Sequence, residues 1–223
     1  TMIDTILAPE MLPPALAGSE KDGNTCFILA QLSYTFKNLQ QALDEVNQAL
    51  NLGLVSKSSY PNAPGLELKG LILQELGVQQ EAAMSFYEAG RNFYWNREYE
   101  SAGRQFSTSA ELSPDYTPTY WYWADTMIMA SFIEEFPYVE KKYVLDSLKI
   151  WNSAFAKKPL DDSYSWVYIT RAYINEQLAR LPGASRWTQC WEAIIYLERG
   201  MLLGQQDTFW IHLSRIHRAL NNV

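Results

Sequence analysis

Small and large apolar side chains recur along the chain at the spacing of an α-helix. In five places a small residue is followed four positions later by a large apolar residue, and three positions after that by another small one. The five sets are Ala42/Val46/Ala49, Ala82/Phe86/Ala89, Ala102/Phe106/Ser109, Ser147/Trp151/Ala154 and Ala193/Leu197/Gly200. These spacings place all three residues on one helical face, where small residues let a neighbouring helix approach and the large one fills the gap. The pattern therefore predicts five helices that each pack closely on a partner.

A second pattern marks the partner helices. A large residue is followed four positions later by a smaller one at Cys26/Ala30, Leu66/Gly70, Phe86/Gly90, Trp121/Asp125, Trp166/Thr170 and Trp210/Ser214. In the first three cases the smaller residue precedes the first small residue of the next helix by one constant interval: Ala30 to Ala42, Gly70 to Ala82 and Gly90 to Ala102. A constant interval is typical of one helical hairpin repeated along the chain.

Together the two patterns predict ten helices joined by short connections. They lie near residues 24–37, 39–52, 63–76, 79–95, 98–112, 117–132, 138–157, 162–180, 185–203 and 207–221. Pro114, Pro118, Pro137, Pro159 and Pro182 fall within or beside the predicted connections, as expected of residues that interrupt a helix. The last helix, with Phe209, Leu213, Ile216 and Leu220 on one side, has the amphipathic pattern of a closing helix.

The repeated hairpins resemble the tetratricopeptide repeat (TPR). The best match is the segment GRNFYWNREYESAGRQFSTSAELSPDY, in which Gly90, Phe93, Tyr99, Ala102, Phe106, Ala110 and Pro114 match the family pattern of small and aromatic residues and its terminating proline. The resemblance covers about residues 24–221. It implies an all-α, right-handed solenoid of antiparallel helix pairs at 24–223, preceded by an N-terminal extension at 1–23. Independently of the resemblance, the Pro-, Gly- and Ser-rich composition of residues 53–65 allows a flexible linker within the array.

Two departures from a regular array are expected. The segment 80–95 fits both as the second helix of the Gly70 hairpin and as the first helix of the Gly90 hairpin. The spacing from Trp121 to Trp166 to Trp210 is also longer than the family repeat, and the simplest interpretation is that the later helices are longer.

Charge and cysteine content narrow the functional classes. The net charge is −7, whereas nucleic-acid binders need a cationic surface, so direct nucleic-acid binding is not expected. The charge is uneven, with a net charge of −11 over residues 1–140 and of +4 over residues 141–223.

The two cysteines, Cys26 and Cys190, form no disulfide framework, and no apolar run has the length of a membrane span. The sequence predicts a cytoplasmic protein that does not span a membrane.

Residues suited to catalysis or metal binding are sparse. His212 and His217 diverge by about 140° on a helix and cannot share one metal ion, which leaves a structural role as the better interpretation. The adjacent acidic pairs at 134–135 and 161–162 point about 100° apart, a poor geometry for joint acid–base chemistry. We therefore expect no cofactor, no metal and no enzyme activity.

The resemblance to TPR arrays places candidate binding residues on the concave face. If the small residue of each first helix packs inward, the residue after it and residues one turn away face the groove. This placement predicts a groove lined by aromatic and arginine side chains: Tyr87, Arg91, Tyr94, Tyr122, Arg171 and Arg215. Guanidinium groups bind carboxylates through two parallel hydrogen bonds, and aromatic rings add contact area at low entropic cost. An alternative for the arginines is simple solvation or ion pairing within a repeat. The run Tyr120–Trp123 must turn at least one ring away from its own hairpin, either towards a neighbouring repeat or into an exposed patch.

The predicted function is a non-catalytic protein–protein interaction module that binds a peptide or partner segment in this groove, as part of a larger protein or alone. Three alternatives stay open. One is a structural adaptor that self-assembles into a homo-oligomer through its charge asymmetry. Another is a helical ligand sensor or enzyme without a known motif. A half-TPR scaffold of an RNA-associated complex is a near relative of the main hypothesis.

Overall fold

The computed structural model describes residues 22–55, 59–132, 137–157, 166–181, 183–203 and 206–221. Within these ranges every regular element is an α-helix, and the ten helices lie where the sequence predicts them. They are α1 (Gly23–Thr35), α2 (Leu39–Leu52), α3 (Ala63–Glu75), α4 (Gln79–Trp95), α5 (Tyr99–Leu112), α6 (Thr117–Ser131), α7 (Pro137–Lys157), α8 (Trp166–Leu178), α9 (Arg186–Leu202) and α10 (Gln206–Asn221). Each helix packs mainly on its neighbours in the chain, so the predicted fold class, an all-α solenoid of TPR-like hairpins, is confirmed.

Three of the turns between helices have the same geometry. Lys37, Gly77 and Arg97 each adopt the left-handed conformation, with φ of 62°, 79° and 65°. After each of them the next backbone N–H donates back to the helix, as Asn38 does to the carbonyl of Ser33 at 2.9 Å. This is the Schellman ending, which satisfies the last free carbonyls of a helix while reversing the chain. The turns α1–α2, α3–α4 and α4–α5 therefore build the same kind of hairpin.

Helix α4 belongs to two hairpins at once, which confirms the irregularity expected at 80–95. The ring of Phe86 on α4 packs against Gly70 of α3, where a Cβ atom would lie 2.8 Å from the ring. One turn later, Gly90 of α4 receives the ring of Phe106 from α5, at 2.7 Å from the equivalent Cβ position. Helices α3, α4 and α5 thus form a three-helix unit, because α4 carries both a large residue for one partner and a glycine for the other.

The hairpins stack through their first helices. Helix α1 contacts α3, and further along the chain α4 contacts α6, α6 contacts α8 and α8 contacts α10. The buried core follows this row, with Trp121 of α6 packed on Trp151 of α7 at 5.6 Å between ring centroids. The candidate groove residues lie on the helices of this row.

The longer spacing between the later repeats has two sources. Helix α7 has 21 residues and begins well before its small residue Ser147, as longer helices predict. Between α8 and α9, however, part of the extra length lies in the connection. There Ala184 donates its N–H to the carbonyl of Leu181, and Gly183 has a φ of 82° that a helix cannot contain.

The aromatic run Tyr120–Trp123 is divided among neighbouring helices. Trp121 is buried against α7, and the ring of Tyr122 lies 5.0 Å from that of Trp166 on α8. Tyr120 and Trp123 are half-buried and line a cavity of about 320 Å³ between α6 and α7. Packing between adjacent repeats therefore accounts for the burial of Trp121 and the contact of Tyr122, while the rings of Tyr120 and Trp123 are partly exposed in the wall of this cavity.

The predicted linker at 53–65 is attached to α1 before it leads into α3. The backbone of Val55 and the side chain of Asn24 exchange two hydrogen bonds, of 3.0 and 3.2 Å. Leu54 is buried, and its N–H donates to the side chain of Asn62. Residues 56–58 lie outside the described part, so the flexibility of the linker stays a prediction.

Candidate functional site

Four of the six predicted groove residues lie together on α4 and α6. We call Tyr87, Arg91, Tyr94 and Tyr122 the Arg91 cluster. The guanidinium carbon of Arg91 lies 5.7 Å from the centre of the Tyr87 ring and 5.4 Å from that of Tyr122. The ring of Tyr94 meets Tyr122 edge-on at 6.2 Å. A cation held over two aromatic faces is stabilised by both, by about 0.5–2 kcal/mol for each contact depending on exposure.

The local sequence brings these residues together. Tyr87, Arg91 and Tyr94 are separated by four and three positions, so they share one face of α4. That face is turned towards α6, whose Tyr122 completes the cluster. Tyr87 forms its buried base, where its ring also meets Tyr116 edge-on at 5.2 Å. Burial raises the pKa of Tyr87, so this phenol is neutral at physiological pH.

Arg91 is the half-exposed charged group of the cluster. Its side chain is 36% exposed, and Nη1 donates to both carboxylate oxygens of Glu88 at 3.2 Å. The Nε atom is enclosed and has no hydrogen-bond partner. Glu88 is exposed to a similar degree, and such surface ion pairs contribute about 1 kcal/mol or less. An incoming carboxylate can therefore replace Glu88 at small cost, and the guanidinium is already held in place by the two rings.

A buried carboxylate lies behind the cluster. Asp125 of α6 accepts hydrogen bonds from the hydroxyl of Tyr94 on α4, at 2.5 Å, and from that of Thr170 on α8, at 2.6 Å. It therefore joins three successive helices of the first-helix row. Burial raises the pKa of Asp125, and the two hydroxyl donors partly oppose this effect. The sequence pattern treats position 125 as a small packing residue, so this role was missed. The signal available was a carboxylate in an otherwise apolar stretch.

The raised pKa of Asp125 predicts a pH-dependent stability. The folded protein binds the proton of the Asp125 carboxyl group more tightly than the unfolded chain does, so protonation of Asp125 stabilises the fold. This contribution to stability is complete below the ordinary aspartate pKa of 3.8 and is lost as the pH rises through the pKa of Asp125 in the folded protein. We expect the melting temperature of Asp125→Asn, measured relative to the unsubstituted protein, to increase as the pH is raised across this range. Parallel thermal melts of the two proteins would reveal the change, and a constant difference at every pH would contradict it.

Arg171 is held apart from the Arg91 cluster. Its side chain is only 10% exposed and lies between the rings of Trp151 on α7 and Tyr196 on α9, at 5.3 and 5.1 Å. Nη2 is 3.9 Å from the carboxylate of Glu192, while Nε and Nη1 are buried without a partner. The expectation of an open groove position for this residue does not match its burial, because α7 and α9 cover it from both sides. Whether it takes part in binding stays a prediction.

Arg215, the sixth predicted residue, lies on α10, and its side chain is outside the described part of the chain. Of the two histidines, His217 is exposed, and His212 packs its ring edge-on against Tyr173 at 4.8 Å. Among the described residues, no group of three histidine, cysteine or acidic side chains is arranged to hold a metal ion. Within the same ranges, no helix is both long and apolar enough to cross a membrane.

Several solved structures are similar to this chain. A thermophilic TPR protein of Thermus thermophilus has 14% sequence identity and a TM-score of 0.42, over 89% of this chain and 82% of its own. A tetratricopeptide repeat protein of Parabacteroides merdae has 15% identity and a TM-score of 0.43, over 91% and 74%. The C-terminal part of a TPR repeat-containing protein of Cytophaga hutchinsonii has 15% identity and a TM-score of 0.38, over 95% and 78%.

In sequence, no protein-family model and no curated protein matches the chain. The similar structures share little sequence with it and superpose only loosely. The fold assignment therefore rests on the hairpin packing of Gly70 on Phe86 and of Gly90 on Phe106.

Proposed function

We propose that this chain, a TPR-like helical repeat protein, is a non-catalytic interaction module that binds an acidic segment of a partner protein at the Arg91 cluster. The observation that carries the proposal is the state of the Arg91 guanidinium. It is held between two tyrosine rings, is partly open to solvent, and keeps one enclosed donor without an acceptor. A carboxylate of the partner would pair with the exposed part of the guanidinium in place of Glu88, and its neighbouring apolar atoms would contact Tyr94 and Tyr122.

The same geometry favours binding over catalysis. The nearest ionisable groups to Arg91 are Glu88, which is paired with it, and the tyrosines, of which Tyr87 and Tyr94 have raised pKa values. Neutral phenols are poor bases and poor nucleophiles at physiological pH, and the Glu88 carboxylate is engaged with Arg91. The two cysteines are buried thiols that form no disulfide, which suits a reducing compartment and supports a cytoplasmic location.

Charge reversal at Arg91 tests the proposal. The full chain would be titrated against an array of peptides that contain aspartate or glutamate beside an apolar residue, with the matching asparagine or glutamine peptides on the same array. We expect acidic peptides to be preferred, and Arg91→Glu to weaken their binding by about tenfold or more, because one charge-assisted contact contributes about 1.5–3 kcal/mol. Fluorescence anisotropy gives the dissociation constants.

Arg104→Glu is the matched control, since Arg104 is an exposed arginine paired with Glu100 on α5. This variant changes the net charge by the same amount and should bind the acidic peptides nearly as well as the unsubstituted chain. Arg91→Lys separates charge from shape, because lysine keeps the charge but loses the planar contact with the rings. Equal binding by Arg91→Glu and Arg104→Glu, or equal binding of acidic and amide peptides, would refute the proposal.

A further inference from the structure

Trp95 is an exposed tryptophan that lies one helical turn beyond Arg91 on the same face of α4. Its exposed fraction is 51%, although a tryptophan is usually well covered in a folded protein. The ring of Tyr60 stacks on it, with 6.4 Å between the ring centroids and 28° between the ring planes. The side chain of Asn96 donates to the carbonyl of Tyr60 at 3.3 Å and ties this residue to the end of α4. Trp95 is therefore held in position while about half of its surface stays open.

A continuous row of rings connects Trp95 with the Arg91 cluster. The ring of Tyr94 meets that of Trp95 edge-on at 5.1 Å, and it also meets the ring of Tyr122. Tyr122 in turn contacts the guanidinium of Arg91. This connection to Arg91 distinguishes Trp95 from an equally exposed tryptophan such as Trp191 on α9, whose exposed fraction is 50%.

We propose that Trp95 binds an aromatic side chain of the same partner segment whose carboxylate pairs with Arg91, and that these two side chains are two residues apart. This inference rests on the proposed function and adds a second contact to it. Four residues of α4 advance by about 6 Å along the helix axis, which sets the spacing between Arg91 and Trp95. In an extended segment, side chains on one side recur every two residues, at about 6.5 Å. An extended partner can therefore place one side chain on each residue.

A neutral ring suits Trp95 better than a charged side chain. Aromatic rings pack in offset stacks or edge-on, and such pairs gain more than the burial of their area. A lysine or arginine can also lie over an indole, but two residues from the acid of the partner it would pair with that carboxylate and be repelled by Arg91. A ring without charge leaves the carboxylate to the guanidinium. The stack on Tyr60 lowers the entropic cost of binding, because Trp95 is already held in one arrangement.

A double-mutant cycle between Trp95 and the peptide tests the second contact. The peptides carry one glutamate, with phenylalanine or alanine two residues away on either side, and fluorescence anisotropy gives their dissociation constants for the full chain and for Trp95→Ala. We expect phenylalanine to strengthen binding to the unsubstituted chain about fivefold, and this gain to be lost in Trp95→Ala. Trp191→Ala is the matched control, since Trp191 has nearly the same exposed fraction, and it should keep the full gain.

Further peptides and one further variant make the test more specific. Phenylalanine one, three or four residues from the glutamate should strengthen binding less than phenylalanine two residues away. Trp95→Phe keeps a ring at this position and should retain part of the gain. A lysine in place of the phenylalanine should give less affinity than the phenylalanine does.

The outcomes separate this inference from the proposed function. Equal binding of phenylalanine and alanine peptides, an equal gain in Trp95→Ala, tightest binding at another separation, or a lysine peptide as tight as the phenylalanine peptide would overturn the second contact. Failure of the proposed function has a different signature. The glutamine peptide would then bind as tightly as the glutamate peptide, and Arg91→Glu would bind both like the unsubstituted chain, whatever the result at Trp95.

Discussion

Phe106→Ala is expected to lower the free energy of unfolding by about 3–5 kcal/mol, the usual cost of removing a fully buried phenylalanine ring. Phe106 has no exposed surface, and its ring fills the space over Gly90 where α4 and α5 cross. It also stacks on Tyr122 at 5.9 Å, so its loss removes support from the Arg91 cluster. In a chain of this length, the expected decrease in melting temperature is about 10 °C. Urea unfolding followed by circular dichroism would measure the free energy.

Two further variants show whether the loss comes from the crossing of helices. Phe86→Ala should cost about as much, because Phe86 fills the equivalent space over Gly70. Met84→Ala, on the exposed side of α4, should cost less than about 1 kcal/mol, as surface truncations usually do. If Phe106→Ala were no more destabilising than Met84→Ala, the two-hairpin description of α4 would fail.

The fold could be predicted because its determinants are local. A glycine or alanine on one helix and a large residue sixteen positions later suffice to place a hairpin, and both are visible in the sequence. The dual use of α4 was also visible, since Phe86 is the large residue of one pattern and the first residue of the next. Such contacts join neighbouring helices through short turns, so they need no knowledge of distant parts of the chain.

The candidate site was predicted less completely, because its members depend on helices far apart in sequence. Spacing within α4 was enough to group Tyr87, Arg91 and Tyr94. It could not show that Trp151 and Tyr196, from two other helices, enclose Arg171. Asp125 was missed for the opposite reason. It holds a position that is small in other repeats, and only the hydroxyls of Tyr94 and Thr170 explain how a carboxylate is accommodated there.

Gly200→Leu is expected to destabilise the C-terminal end of the array by about 3 kcal/mol, the upper range for overpacking a core. A Cβ atom at Gly200 on α9 would overlap the ring of Phe209 and would lie 3.0 Å from the Cβ atom of Tyr168. Phe209 has no exposed surface and anchors α10 together with Leu213 and Ile216. The added side chain must displace Phe209, because Tyr168 closes the other side. Hydrogen exchange should therefore increase throughout α10 before other helices are affected.

Glu198→Leu is the control, because it adds leucine to the same helix at an exposed position and should change the unfolding free energy by less than about 0.5 kcal/mol.

Space for the leucine at position 200 can also be restored by a second substitution. Phe209→Ala is destabilising in itself, but in the Gly200→Leu background it removes the ring that the leucine would overlap. We therefore expect the double variant to be more stable than the sum of the two single effects by about 1–3 kcal/mol. Additive effects would show that Gly200 and Phe209 do not share one packed volume, and that the attachment of α10 depends on other contacts.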